Sequence, residues 1–298
     1  MVYLTRYNKN PIIEPNLAHE WEKGGVFNCA ATLFQDKVLL LYRAIGDYDT
    51  YISTLGLALS EDGYIFERFD EPVMRPEFDF ERYGVEDPRI TFLKDKYYIT
   101  YTAVRTPVPA GDVDYHIGIA STNDFKEFIR HGTIINEYRN KDGVLFPEKI
   151  NDNYVIIHRA PEPDMWIAYS KDLKTWTDHQ KLFGPLPNTW QDFKVGAGAP
   201  PIKTDEGWLE FYHGVDKELH YSLGVMLLDL KDPSKIVSII DDPILIPEED
   251  YERVGDVPNV TFTCGVVEKD EKFFVYYGGA DKVIAVATID RKTLLQAL

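Results

Sequence analysis

The sequence predicts an all-β protein, a five-bladed β-propeller that residues 1–298 build as one domain. Three observations lead there. One strand-pair pattern occurs five times, its copies are evenly spread, and no amphipathic helix of ten residues or more interrupts them. A repeat of this kind is the signature of a radial or stacked architecture, since each copy needs a neighbour to cover its apolar face. A two-sheet sandwich is the structural rival, but it needs no unit repeated five times.

The five copies are Asp36–Ala44, Asp95–Ala103, Asp152–Ala160, Glu206–Gly214 and Glu271–Gly279. Each is an acidic turn followed by an aromatic or β-branched run, the composition that strands favour. They begin at positions 36, 95, 152, 206 and 271, so the period is 54 to 65 residues. A shorter apolar run precedes each one: Cys29–Phe34, Pro88–Leu93, Phe146–Ile150, Ala199–Ile202 and Cys264–Val267. Together they read as five hairpins. A third strand follows each hairpin, at Leu55–Ser60, His116–Ser121, Met165–Ser170, Tyr221–Met226 and Val283–Thr288. After the first three, a polar turn and then Phe66, Phe128 or Trp176 predict a fourth, outer strand.

Composition bounds the function. A net charge of −17 opposes nucleic acid and anionic membranes as partners, because phosphate backbones require clustered Lys and Arg. The two cysteines, Cys29 and Cys264, lie in apolar strand-like runs and are predicted to be buried free thiols. No run approaches the roughly 20 apolar residues of a membrane helix, and no basic, apolar leader opens the chain, so a cytoplasmic location is predicted. Aromatics reach 13%. Strand packing accounts for most of them, and sugar faces also stack on such rings. No zinc-spaced His or Cys cluster, phosphate-binding glycine loop or nucleophile elbow occurs, so neither metal nor cofactor is predicted.

In a propeller, functional groups gather where the innermost strands reach the channel mouth. With the first strand of each hairpin innermost, the candidates are Asn28, then Glu86, Asp87 and Arg89, then Glu148 and Lys149, then Lys194, then Asn259 and Thr261. Asp87 is the sharpest. Pro88 fixes its own φ, biases Asp87 toward extended backbone and is predicted to start a strand. A carboxylate held there between aromatics such as Tyr83 and Phe92 suits a general acid. A plain turn cap or a pair with Arg89 is the competing role. A second set is basic: Asn140–Gly143 before the third hairpin, His158 and Arg159 at its end, Lys194 before the fourth, and His213 with Tyr221 after it. Converging cations and hydroxyls at equivalent positions of an acidic chain suit an oxyanion such as phosphate. Each alone also fits a solvated surface charge.

The motifs Val85–Ile90, Lys141–Ile150, Lys194–Ile202 and Gly207–Gly214 resemble those of glycoside hydrolase family 130, the β-mannoside phosphorylases and their hydrolytic relatives. The resemblance runs from Asn8–Pro11 to Gly278–Asp281. It implies a five-bladed propeller and inverting phosphorolysis, in which a terminal β-mannosyl residue passes to phosphate as α-mannose 1-phosphate. Asp87 matches the family's single acid, whose proton travels through the 3-hydroxyl of the bound mannose. The phosphate-binding positions fall on Lys141, Arg159, Lys194, His213 and Tyr221. Asn28, Arg43 and Asp281 match positions that hold the mannose. The implied partners are a β-mannoside oligosaccharide and phosphate, the latter a co-substrate; a homo-oligomer is allowed. β-1,4-manno-oligosaccharides are the predicted substrate, while linkage and acceptor depend on loops such as Asp47–Thr54 and Arg105–His116. Two rivals stand beside this reading: a hydrolase with Glu148 as base, and a non-catalytic propeller lectin.

Overall fold

A computed structural model describes residues 2–298, and their regular structure is almost entirely antiparallel β-sheet. Unit one contains Gly25–Phe34, Lys37–Ile45, Ser53–Ser60 and Glu67–Arg68. Unit two contains Gly84–Leu93, Lys96–Val104, Tyr115–Thr122 and Ile129–Ile134. Unit three contains Val144–Leu145, Tyr154–His158, Met165–Ser170 and Trp176–Phe183. Unit four contains Lys194–Ala197 with Ile202–Lys203, then Trp208–Val215, Tyr221–Leu228 and Ile236–Ile239. Unit five contains Thr261–Lys269, Lys272–Gly279 and Val283–Asp290, and its outer strand is Thr5–Arg6 from the other end of the chain. Strands pair in chain order within each unit. One parallel bridge, Ser53 to Gly84, links units one and two into a larger sheet. The longest helix among the described residues is the seven-residue Arg291–Ala297, and none is long and apolar enough to cross a membrane.

The acidic turns are what the repeat predicts, for a backbone reason. Gln35 and Asp36, Lys94 and Asp95, Asn151 and Asp152, and Asp270 and Glu271 all have positive φ, between 50° and 64°. Two consecutive left-handed residues match the twist of a two-residue hairpin, and short polar side chains tolerate that region best. Unit four departs from this: Thr204 closes its turn by accepting the Gly207 amide and donating to the Gly207 carbonyl.

The continuous apolar runs follow from burial on both sheet faces. Along Lys37–Ile45, Val38 and Leu40 pack with Phe274 and Tyr276 of unit five, while Leu39 and Leu41 pack with Ile99 and Tyr101 of unit two. Period-two alternation thus serves two interfaces from one strand. The same holds around the molecule. Separate apolar clusters join units one and two, two and three, three and four, four and five, and five and one. Cys29 and Cys264 are buried and unpaired, as predicted.

Two expectations change. The first strands of units three and four lie earlier than predicted, and that of unit three is shorter. Phe146–Ile150 is mostly outside the ladder, and Ala199–Ile202 contributes only its last residue. Pro147, Pro200 and Pro201 have no N–H to offer a sheet. Asp87 is not extended: its φ is +47°, and it sits with Pro88 inside Gly84–Leu93 rather than at the start.

Candidate active site

That left-handed Asp87 is the start of the site. Gly84–Leu93 pairs Glu86 with Thr102 and Arg89 with Thr100, so Asp87 and Pro88 form a β-bulge. Pro88 is harmless there because the ladder is already interrupted. A non-glycine residue in this region costs about 1–3 kcal/mol, and the bulge turns the carboxylate inward instead of across the sheet. Unit one carries the matching bulge between Phe27 and Ala30, with Asn28 at φ +46°. The two meet: Asn28 Nδ2 donates to Asp87 Oδ1 at 2.9 Å.

Arg43, from the second strand of unit one, ties this side together. It donates to Glu86 Oε1 at 2.7 Å, to Asp87 Oδ1 at 3.3 Å and to Ser53 Oγ at 3.0 Å. Its guanidinium lies 4.7 Å from the Phe27 ring centroid. Burial raises the Glu86 carboxyl above its ordinary value, against the pull of Arg43. Asp281, left-handed at φ +51° in the last hairpin of unit five, faces the same space. Burial pushes its carboxyl up to about 7, with Arg43 opposing.

The opposite wall is basic. Lys141 lies three residues before unit three's first strand, and Arg159 immediately follows its second; the Arg159 amide donates to the Lys141 carbonyl at 3.2 Å. Between Arg159 and Arg89 lies Asp142, 1% exposed, with an oxygen 2.9 Å from Arg159 and the other 3.0 Å from Arg89. Burial works to raise the Asp142 carboxyl, but Arg159 and Arg89 hold it well below the usual range. Arg89 also donates to the Asp87 carbonyl at 2.8 Å. One chain of charges therefore runs from the acid's own backbone to Arg159. Burial, then Arg159, lowers the Lys141 amine.

Asp87, Asn28, Arg43, Asp281, Lys141, Arg159 and Tyr221 all line one cavity. Lys194 and His213 do not reach its wall. Lys194 Nζ lies over the Tyr221 ring, 5.2 Å from its centroid. His213 is fully buried, and burial holds its imidazole well below the ordinary value, so it is neutral rather than one of the cations. Its Nε2 lies 3.2 Å from an Arg159 nitrogen and accepts from it. Glu148, the candidate hydrolytic base, is exposed and paired with Lys203 at 2.5 Å; it lies outside the cavity. Phe92 is 50% exposed and does not shield Asp87. Asp142 and the apolar wall of Val257, Val260 and Phe262 carried no individual signal in the sequence. Asp142 sat next to Lys141 in a turn-like stretch, where an acidic residue is unremarked.

The site is thus a small cavity in an all-β protein, with buried carboxylates on one wall and lysine and arginine on the other. The comparisons give the family. The model described as β-1,4-mannooligosaccharide phosphorylase matches residues 5–298, and the chain belongs to glycoside hydrolase family 130, the mannoside phosphorylases. A 1,2-β-oligomannan phosphorylase of Thermoanaerobacter sp. (strain X514) is 46% identical over 99% of this chain and 99% of its own. A β-1,2-mannobiose phosphorylase of the same organism is 45% identical, covering 98% and 99%. The solved β-1,2-mannobiose phosphorylase of Listeria innocua, in complex with β-1,2-mannobiose, superposes with a TM-score of 0.88 at 30% identity, covering 99% of each chain.

Proposed function

We propose that the chain is one five-bladed β-propeller, residues 1–298, and that it carries out inverting phosphorolysis of β-mannosides. The cyclic series of apolar clusters supports the propeller, as does the N-terminal strand that completes unit five. The observation that carries the chemistry is the two-sided cavity: one carboxylate, Asp87, against Lys141, Arg159 and Tyr221. Asp87 supplies a proton to the departing glycosidic oxygen, relayed by the sugar's 3-hydroxyl. A phosphate oxygen attacks the anomeric carbon from the other face, the glycosidic bond breaks, and α-mannose 1-phosphate forms. Phosphate arrives already charged and needs cations to position it rather than a base to deprotonate it. Asn28, Arg43 and Asp281 hold the mannosyl ring. No metal or other cofactor takes part.

For the linkage, β-1,2 is the better-supported reading. The relatives at 46% and 45% identity are named for β-1,2-mannosides, while the family model's description names β-1,4. Synthesis from α-mannose 1-phosphate with mannose as acceptor tests both levels at once. A β-1,2-linked disaccharide by NMR is the expected product. A β-1,4 product overturns the linkage, and no disaccharide with any acceptor overturns the reaction.

A further inference from the structure

Successive side chains in extended backbone point to opposite faces, and unit three uses this at His158 and Arg159. Arg159 enters the cavity already described. His158 turns the other way, into a separate pocket of about 380 Å³ on the flank of unit three. Its walls are Trp166, Trp176 and Tyr138, with His158, His179 and Glu137 between them. That volume falls within the roughly 300–1,000 Å³ typical of small-molecule sites.

The polar groups of this pocket form one oriented chain. Asn140 Nδ2 donates to His158 Nδ1 at 3.2 Å, His158 Nε2 to His179 Nδ1 at 3.1 Å, and His179 Nε2 to the Trp176 carbonyl at 3.3 Å. One proton on each imidazole satisfies it. Trp166 Nε1 donates to the Pro161 carbonyl at 3.0 Å, which fixes that indole. Trp176 is 8% exposed, yet its Nε1–H has no partner among the described residues. A buried donor left unpaired costs about 1–3 kcal/mol.

We propose that this pocket is a second carbohydrate-binding site, taking a neutral oligosaccharide, and that the ligand is a mannosyl chain. No Lys or Arg lines it and its one carboxylate side chain is that of Glu137, a lining that does not suit a phosphate or carboxylate ligand. Aromatic side chains beside imidazoles and a carboxylate acceptor match a sugar ring, which has an apolar face and a rim of hydroxyls. The identity of that sugar rests on the mannoside reading above; the class does not. The segment His158–Pro161 separates the pocket from the cavity, so two stretches of one polymer or two chains are held on either side of it.

Calorimetric titration of the phosphate-free wild-type chain with β-1,2-mannotetraose tests this. Two sites are expected. Trp166→Ala and, independently, the exposed Tyr138→Ala should each weaken the second site by roughly tenfold, the loss of one aromatic contact. Both should leave kcat and KM for phosphorolysis of β-1,2-mannobiose within about twofold of wild type, since neither residue touches the cavity. A single site in the wild type, or a second site indifferent to both substitutions, overturns the proposal. An enzyme that phosphorolyses mannobiose yet has one binding site contradicts the pocket alone. A chain with a Trp166-dependent sugar site but no phosphorolysis contradicts the catalytic reading alone.

Discussion

The two walls of the cavity are built by different physics. On the acid side, units one and two present Asn28 and Asp87 on paired bulges, both in left-handed backbone. Backbone strain aims those side chains, and their contacts are few: one amide and one guanidinium reach the Asp87 carboxylate. On the basic side, aim comes from electrostatics. Arg89, Asp142, Arg159 and the neutral His213 form one buried series in which each group holds the next. On the proposed reading the proton donor is kept lightly held, whereas the anion-binding cation is fixed by a counter-charge that stays behind when the anion leaves. The acid side should therefore fail in catalysis without failing in stability, and the basic side should fail in both.

Asp87→Asn is the sharpest way to break that contrast. It should lower kcat by about 10²–10⁴-fold, with a thermal midpoint close to that of wild type. A large loss of stability with this change would show that Asp87 is structural. Asp142→Asn should fail in both. It strips the shared counter-charge from Arg89 and Arg159, and breaking a buried pair costs about 3–5 kcal/mol. Urea unfolding should register that loss, and the apparent KM for phosphate should rise, while KM for the mannoside changes little.

Two glycines sharpen the comparison at smaller cost. A Cβ at Gly196 would lie 2.5 Å from the His213 ring and 2.6 Å from Asp142 Oδ2, on the basic side. A Cβ at Gly278 would lie 2.3 Å from Asn28 Oδ1, on the acid side. Overpacking of this kind costs about 1–3 kcal/mol. Gly196→Ala should raise the phosphate KM, and Gly278→Ala the mannoside KM. Equal effects of both on one substrate would erase the two-wall distinction.

A further effect is a pH slope. With its carboxyl raised to about 7, Asp281 binds its proton more tightly in the folded chain than the ordinary carboxylate value near 4 allows unfolded. The folded state then carries the extra proton between those values, so stability falls as pH rises from about 4 to about 7. The slope is at most about 1.4 kcal/mol per pH unit. Asp281→Asn should flatten that portion of a stability-versus-pH curve.

Much of this was legible in the sequence because repetition is a strong signal. Five acidic turns and five third strands stand at the predicted places, since hairpin twist and two-sided burial leave marks on composition. Proline runs at Pro147 and at Pro200–Pro201 hid the true inner strands, because apolar residues outside a ladder look like those within one. Asp87 was found by position, but its left-handed backbone was not: a bulge is a property of two paired strands, and one strand's sequence does not carry it. His213 was read as a cation because residue type signals charge, whereas burial decides it. Asp142 went unnoticed because its meaning lies in two arginines, Arg89 and Arg159, that only the fold brings to it.

The central claim is that the cavity's basic wall serves phosphate, and one measurement addresses it most directly. Purified enzyme is given β-1,2-mannobiose in buffer with and without inorganic phosphate, and mannose 1-phosphate and free mannose are quantified separately. The account predicts α-mannose 1-phosphate and mannose in equal amounts when phosphate is present, and neither product when it is absent. Rapid release of two mannose molecules per disaccharide in phosphate-free buffer would contradict it and make the chain a hydrolase.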